Sequence, residues 1–420
     1  MALQRFLIDI SPLRVSRGFR YAYAARTATV LVTGMLLVAA SIQIFELTQS
    51  SFAVSMLNVS MAVPMVSALI VGGVLSDRMD RRLLMLWSRS VYVLSVVIFV
   101  INALIPAPQV WPIYVAAAIG GAAGGISVPA MMAAVPALVG RDKLAAAAAL
   151  SGLAMQVGGI IGPALAGVLI SGPGLIFCYV IVLAGVLITP FLLRALPSLP
   201  PQNQAERPPQ APLQALADGF KFVRHHPLLR TLLLIDLGAL FLATPMALMP
   251  EWGEHVLSLG SQATGLLYAA PAVGATLAAL SSGWCRNTAR PGRIIVLAVL
   301  LWGLAVAALP AYQTLYWSLA CLTLMGAADT VSKILRMTLV QRHTPDHLLG
   351  RVSSLWMTQY SMGQALGNVQ MGLMSRVFNP ALAFLLGGLA CSSLAGLFGL
   401  FNSSLRTLEH QESDATTRTS

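Results

Sequence analysis

Two acidic residues lie inside long apolar segments of this 420-residue chain, where a carboxylate is costly to maintain. Asp236 lies in the segment LLLIDLGALF, and Asp329 lies in MGAADTVSKILR. A carboxyl group in such surroundings can gain and lose a proton, because the loss of water disfavours its charged form. We therefore interpret Asp236 and Asp329 as candidate proton-coupling residues.

Two cations follow Asp329 on the same face of its predicted helix. Lys333 stands four residues after Asp329, and Arg336 stands seven residues after it. An acid four residues before a lysine can form an ion pair along a helix. We predict an Asp329–Lys333 pair that opens when Asp329 takes a proton. In the alternative interpretation, Lys333 and Arg336 mark the cytoplasmic end of the segment and the pair is structural.

Uncharged polar side chains in other apolar segments are candidates for lining a substrate cavity. Such side chains either tie helices together or face water and substrate. The candidates are Gln43, Gln156, Gln364 and Asn368.

Motifs of nucleotide hydrolysis and of proteolysis are missing from the sequence. It has no Walker loop, HExxH, GxSxG or paired-cysteine motif, which argues against an ATP-driven pump or a membrane protease. The four cysteines lack metal-ligand spacing and suit packing within the segments. We expect no enzymatic activity, no cofactor and no metal site.

The composition places these residues in a membrane. Hydrophobic residues make up 57% of the chain and charged residues 10%, whereas soluble domains carry about 25% charged residues. Twelve apolar runs are candidate membrane helices, since backbone groups must be satisfied within lipid. They lie at 21–45, 52–75, 83–105, 111–134, 144–170, 175–196, 228–250, 263–285, 294–310, 315–339, 352–378 and 381–403.

Basic residues alternate between successive loops and so predict the orientation of the helices. With both termini in the cytoplasm, the outer loops contain a single arginine, Arg376, together with Glu251 and Glu254. The net charge of +11 is scattered over many short loops. It is therefore better explained by membrane topology than by nucleic-acid binding.

A polar, proline-rich stretch divides the twelve runs into two sets of six. We predict six-helix bundles at 1–196 and 228–403, a cytoplasmic linker at 197–227 and a cytoplasmic tail at 404–420. The linker ends in a predicted short helix near residues 213–226. This helix either rests on the membrane surface through Phe220, Phe222 and Val223 or is plain linker.

Weak internal symmetry indicates that the two bundles arose by duplication. At an offset of 210 residues, Gly73 matches Gly283 and Gly140 matches Gly350. Two parallel six-helix repeats with a site at their interface are a known transporter architecture.

The loop GVLSDRMDRR, between the second and third runs, resembles the signature loop of the major facilitator superfamily. The resemblance implies a gating latch in which Asp77 accepts charge-assisted hydrogen bonds and Gly73 permits close helix approach. In the alternative, the arginines only anchor the topology. Asp80 stands where this family often has glycine, which puts the turn geometry in doubt. The implied latch residues are Gly73, Asp77, Arg78, Arg81 and Arg82.

The fifth run, GLAMQVGGIIGPALAG, resembles the helix-5 motif found mainly in antiporters and exporters of the same superfamily. Glycines four residues apart give a smooth groove for helix contact, and a proline kinks the helix. The resemblance implies outward transport, and the alternative is ordinary small-residue packing. The motif residues are Gly158, Gly162, Pro163 and Gly167.

Segments such as GGVLSDRMDRR, AAVPALVGRDKL and QRHTPDHLLGRVSSLW resemble the enterobactin exporter family. This resemblance implies proton-driven export of a catecholate siderophore across the bacterial inner membrane by a monomer whose partners are substrate, protons and lipid. Asp329 and Lys333 stand where that family has neutral residues, so the ligand or the coupling can differ. The alternatives are a macrolide or multidrug efflux pump and, from another class, a non-transporting membrane sensor or assembly factor.

Overall fold

A computed structural model of the protein describes residues 9–200, 212–288 and 290–401. Nearly all of these described residues are helical, and none of them lies in a β-strand. Eleven of the described segments are long and apolar enough to cross a membrane. The prediction of an all-α membrane protein is confirmed. The predicted tail at 404–420 lies outside the described residues.

The first of two compact units comprises residues 1–48 and 60–212. Its helices correspond to the first six predicted runs, preceded by one short helix. They are α1 (Ser11–Val15), α2 (Arg17–Thr48), α3 (Ser51–Arg78), α4 (Arg81–Leu104), α5 (Val110–Val139), α6 (Leu144–Ser171) and α7 (Leu175–Arg194).

The second unit comprises residues 213–420 together with residues 49–59, which include the first turns of α3. Its helices begin with the short helix predicted at the end of the linker. They are α8 (Pro212–His225), α9 (Pro227–Leu242), α10 (Met249–Glu251), α11 (Gly260–Leu280), α12 (Pro291–Ala307), α13 (Leu315–His343), α14 (Asp346–Val377) and α15 (Pro380–Phe401).

Helix α14 supplies the twelfth membrane span, although it is the most polar of the long helices. Its 32 residues are more than enough to cross a bilayer. Gln359 and Asn368 are buried within it, and each makes a hydrogen bond to the seventh span, with Asp236 and with the Ala247 N–H respectively. The predicted count of twelve spans is confirmed.

The seventh span is interrupted, whereas the sequence predicted one continuous run. Helix α9 ends at Leu242, and the chain then resumes as a 3₁₀ turn at Met246–Leu248, which leads into α10. Two side chains from other helices bind the backbone at the break. Asn368 Oδ1 accepts a hydrogen bond from the Ala247 N–H at 2.8 Å, and Trp302 Nε1 donates to the Ala243 carbonyl at 2.8 Å.

The segment after the break is held by Trp252, which is fully buried. Its Nε1 donates to Ser318 Oγ at 3.0 Å. Its ring meets that of Phe384 edge-on, with 5.1 Å between centroids. The indole therefore has both the apolar contact and the hydrogen-bond partner that a buried tryptophan requires.

Candidate functional site

A buried ion pair joins the interrupted seventh span to α13. Arg336 Nη2 lies 2.7 Å from Asp236 Oδ1, and the two side chains are only 1% and 2% exposed. Two neutral side chains complete the pair. Gln359 Nε2 donates to the second Asp236 oxygen at 3.3 Å, and Arg336 Nη1 donates to Ser332 Oγ at 2.7 Å. Both charges are thus removed from lipid and water.

A second, more exposed ion pair lies one turn away on α13. Lys333 Nζ is 3.2 Å from Asp329 Oδ2, which is the pair predicted from the spacing. Lys333 Nζ also donates to the Tyr360 hydroxyl at 3.1 Å and lies 4.3 Å from the centre of that ring. Gln364 Nε2 donates to the same hydroxyl at 3.0 Å. Lys333 therefore has partners on α13 and α14.

Arg336 connects the two pairs, since its Nη2 lies 3.8 Å from Asp329 Oδ1. The result is a network of two acids and two cations with zero net charge. Asp329 is 18% exposed and Lys333 is 41% exposed, whereas Asp236 and Arg336 are buried. Asp329 is therefore the more accessible of the two acids. We call these four residues the charge network.

The sequence did not predict the Asp236–Arg336 contact; it placed Arg336 on the helix face of Asp329 or, in the alternative interpretation, at the cytoplasmic end of its span. Asp236 and Arg336 lie one hundred positions apart, and no local spacing connects them. The available signal was the cost of Asp236 itself, because a buried carboxylate needs a cation or several hydrogen-bond donors. Arg336, predicted to lie on the same helix face as Asp329, could have been considered as that cation.

The predicted cavity residues mostly tie helices together in this structure. Asn368 is buried and bonded to the broken seventh span. Gln43 is buried and accepts a hydrogen bond from the Tyr179 hydroxyl at 2.8 Å. Gln364 belongs to the shell of the charge network through Tyr360. Gln156 is half-buried on α6.

The loop predicted to act as a latch contains three arginines in different surroundings. Arg81 is buried, and its Nη1 donates to the Ala133 carbonyl at 3.1 Å. Arg82 Nη2 donates to the Arg194 carbonyl at the end of α7 at 2.6 Å. Arg78 and Asp77 are exposed. These contacts are made within the first unit and leave the proposed latching role of Asp77 as a prediction.

The close helix approach predicted for Gly73 occurs one residue earlier. A Cβ atom at Gly73 would meet no other atom within 4 Å, whereas one at Gly72 would lie 2.7 Å from Ile126 Cα. Gly72 therefore faces α5, and Gly73 is turned away from it. The prediction placed the contact on the wrong glycine, because adjacent helical residues point in directions about 100° apart.

Asp80, the departure from the usual glycine, organises the turn. Its carboxylate accepts hydrogen bonds from the Ser198 hydroxyl, from the Leu199 N–H at 3.1 Å and from the Arg82 N–H at 2.8 Å. Burial raises the pKa of the Asp80 carboxyl, but these hydrogen bonds outweigh burial and hold the pKa below its ordinary value of 3.8. Asp80 thus caps α4 and fastens the chain that follows α7.

The glycines of the helix-5 motif face α2. A Cβ at Gly158 would lie 2.6 Å from Val30 Cγ1, and one at Gly162 would lie 2.5 Å from the Leu31 carbonyl oxygen. Pro163 contacts Gly34 in the same interface. Gly167, like the others, is buried. The motif therefore forms the close packing of α6 on α2 that its spacing predicts.

Helix α8 packs on the start of α14 within the second unit. Asp218 Oδ2 accepts a hydrogen bond from Arg351 Nη1 at 2.9 Å. A Cβ at Gly219 would lie 2.9 Å from the Arg351 carbonyl oxygen. Val223 is 1% exposed, so it packs inside the protein and not on the membrane surface as predicted, whereas Phe220 is 50% exposed.

Comparisons with known proteins agree on one class of membrane protein. The model of the Major Facilitator Superfamily matches residues 22–368. The protein named Enterobactin exporter EntS in Shigella boydii serotype 18 is 33% identical over 381 residues, covering 90% of each chain. The protein of the same name in Escherichia coli O139:H28 shows the same identity and coverage.

Two solved structures share the fold at low sequence identity. The nucleoside transporter NupG matches with a TM-score of 0.73 and 14% identity, over 91% of this chain and 98% of that one. A POT family transporter in complex with 5-aminolevulinic acid matches with a TM-score of 0.73 and 11% identity, over 93% and 97%. At these identities the likeness concerns the fold alone.

Proposed function

The chain belongs to the Major Facilitator Superfamily, and we propose that it exports a catecholate siderophore of the enterobactin type in exchange for protons. It is a multi-pass membrane transporter and not an enzyme. The substrate class is supported by the 33% identity, over 90% of the chain, to proteins named enterobactin exporters. The proton exchange is supported by the charge network.

The charge network suits proton coupling because its charges balance only when both acids are ionised. Protonation of Asp329 leaves Lys333 and Arg336 with a single anionic partner between them. An unmatched charge is costly where water is scarce. Uptake and release of one proton therefore changes which residues Lys333 can pair with, and it favours a rearrangement of α13 against α14.

Asp329 is the better candidate for the proton carrier, and Asp236 is the alternative. Asp329 is partly exposed, whereas Asp236 is held by Arg336 and Gln359 and is almost fully buried. Deprotonated Asp236 keeps Arg336 neutralised throughout, so it acts as the fixed half of the network. This assignment gives each acid a different role although both lie in membrane spans.

We further propose an inner-membrane location, cytoplasmic termini, a monomeric state and six-helix bundles at 1–196 and 228–403. The orientation is supported by the basic residues of alternate loops. Single cysteines introduced at Gln204 and Glu254 test it. Labelling by an impermeant reagent from opposite faces of the membrane is expected, and labelling from the same face would contradict the orientation.

The decisive experiment compares secretion and vesicle transport. Iron-starved cells that lack the gene should secrete less catecholate, and the wild-type gene should restore secretion. Inside-out vesicles should accumulate the siderophore only when a pH gradient is imposed. Accumulation of a macrolide without any effect on catecholate secretion would instead support a drug efflux pump.

A further inference from the structure

Arg26 and Arg89 place two positive charges inside the first unit. Arg26 is the tenth residue of α2 and Arg89 is the ninth of α4, so each lies about 12–14 Å along its helix. Arg89 Nη2 donates to Ser127 Oγ at 3.3 Å. Ser127 is twelve residues from the end of α5 at Val139, or about 18 Å. The Arg89 guanidinium thus lies within the bundle and not at its end.

Neither arginine has a carboxylate partner among the described residues. Arg26 Nε is buried and has no hydrogen-bond partner. Arg26 stands seven residues before Thr33 on α2, and Arg89 stands three residues before Tyr92 on α4, so each shares a helix face with one partner of the Thr33–Tyr92 contact. Two cations on facing surfaces repel each other. Glu46 is twenty residues further along α2, about 30 Å away. The remaining described acids of this unit lie at helix ends or in turns: Asp9, Asp77, Asp80 and Asp142.

Arg336 of the charge network, a buried guanidinium in the second unit, offers a contrast. Arg336 has an acid at 2.7 Å, as electrostatics in a low dielectric requires. Arg26 and Arg89 lack one and repel each other, which lowers stability unless an anion joins them. Charged side chains inside membrane spans usually belong to a substrate or ion pathway.

We propose that Arg26 and Arg89 bind an anionic oxygen group on an aromatic ring of the exported molecule, either a catecholate or an aryl carboxylate. This inference rests on the proposed function and specifies the chemistry that recognises the substrate. Guanidinium groups offer paired N–H donors to such oxygens and also stack on aromatic faces.

Tyr92 joins the two helices that carry the arginines and adds an aromatic surface. Its hydroxyl lies 3.1 Å from Thr33 Oγ1, which links α4 to α2, the helices that carry the two arginines. The Arg89 guanidinium carbon is 5.9 Å from the centre of the Tyr92 ring. The site thus combines two cations, one aromatic ring and three hydroxyl groups, those of Tyr92, Thr33 and Ser127, which suits an aromatic oxyanion.

The test uses two probes that differ only in charge. Purified full-length protein in phosphatidylcholine nanodiscs is titrated by calorimetry with protocatechuate, a catechol that carries a carboxylate, and with its neutral amide. The acid should bind more tightly to the wild type. Arg26→Gln and Arg89→Gln should each weaken the acid at least about tenfold, the effect of one charge-assisted hydrogen bond, and should leave the amide unchanged.

Matched variants separate binding from folding. Arg26→Lys and Arg89→Lys keep the charge and should retain part of the affinity for the acid. Arg194→Gln removes an exposed arginine that lies 5.5 Å from the Phe191 ring at the end of α7, and it should change nothing. Because the two cations repel each other, each Gln variant should unfold at the same temperature as the wild type or higher.

Three results would overturn the proposal or separate it from the proposed function. Equal affinity of the acid for the wild type and both Gln variants overturns it. The proposal is also overturned if native mass spectrometry shows an anionic phospholipid bound through the two arginines and if calorimetry gives the acid and the amide the same affinity. If deletion leaves catecholate secretion unchanged but the arginines still select the acid, the anion site stands and the proposed siderophore export fails.

Discussion

Arg336 Nη2 and Asp236 Oδ1 lie 2.7 Å apart in a contact that is almost fully shielded from solvent. Asp236 Oδ1 receives no aligned hydrogen bond, so the contact is chiefly an ion pair. It joins α13 to the interrupted seventh span. Removing one partner therefore leaves a buried charge unpaired, whereas removing both partners leaves none.

Asp236→Asn should destabilise the protein strongly, because it leaves Arg336 buried without a counter-charge. The expected loss is about 3–5 kcal/mol. The double variant Asp236→Asn with Arg336→Met should regain most of that stability. Thermal unfolding of the purified proteins measures both effects. A single Asn variant as stable as the wild type would show that Asp236 is already neutral in the folded protein.

Asp329→Asn should abolish accumulation against a gradient while destabilising the protein much less than Asp236→Asn. Lys333 keeps the Tyr360 hydroxyl and ring as partners after the acid is lost. Uptake into inside-out vesicles with an imposed pH gradient measures the coupling, and downhill exchange of substrate is the control. Adding Lys333→Met should restore any lost stability without restoring uphill transport. Normal accumulation by both Asp236→Asn and Asp329→Asn would refute the carboxylate mechanism.

Asp77→Asn should impair export while the protein inserts and folds normally. The prediction follows from the family role of this loop, in which the acid accepts charge-assisted hydrogen bonds. Asp142→Asn, in the exposed turn before α6, is the matched control and should export normally. Wild-type export by Asp77→Asn at wild-type expression would reduce Asp77 to a turn residue.

Asn368→Leu should destabilise the second unit by about 1–3 kcal/mol, because it leaves the buried Ala247 N–H without an acceptor. Gln370→Leu on the same helix is the control. Gln370 Oε1 is buried and already lacks a partner, so its removal should be close to neutral. Denaturation midpoints of the two variants give the comparison, and equal losses would assign no special role to the break.

Asp80→Asn should lower stability at neutral pH but not in acid. Because the folded pKa of Asp80 lies below its unfolded value, the carboxylate stabilises the protein above the unfolded pKa of about 3.9. That contribution is lost as the pH falls through the folded pKa. Thermal unfolding of both proteins from pH 7 to about pH 3 should give curves that converge. Curves that stay parallel would mean that the loss comes from geometry alone.

The membrane helices were predictable because their signal is local. A run of apolar residues determines a span, and a basic loop determines its predicted orientation. The Asp329–Lys333 pair was predictable for the same reason, since four residues bring side chains together on any helix.

The interruption after Leu242 and the Asp236–Arg336 pair were not predictable in this way. Both depend on side chains more than fifty positions away: Trp302 for Ala243, Asn368 for Ala247, and Arg336 for Asp236. The role of Asp80 was not predictable either, because its partners Ser198 and Leu199 lie more than one hundred positions away in the sequence.

The intrinsic fluorescence of the two indoles beside the interruption can report on the surroundings of the seventh span. Trp252 and Trp302 are 0% and 4% exposed, and each N–H is bonded within the protein. Excited indole emits at shorter wavelengths in dry surroundings than in water. Wetting of this segment during the transport cycle would therefore shift the emission of both rings to the red. With Trp87, Trp111, Trp284, Trp317 and Trp356 replaced by phenylalanine, the cycle becomes readable in an unlabelled protein, in real time.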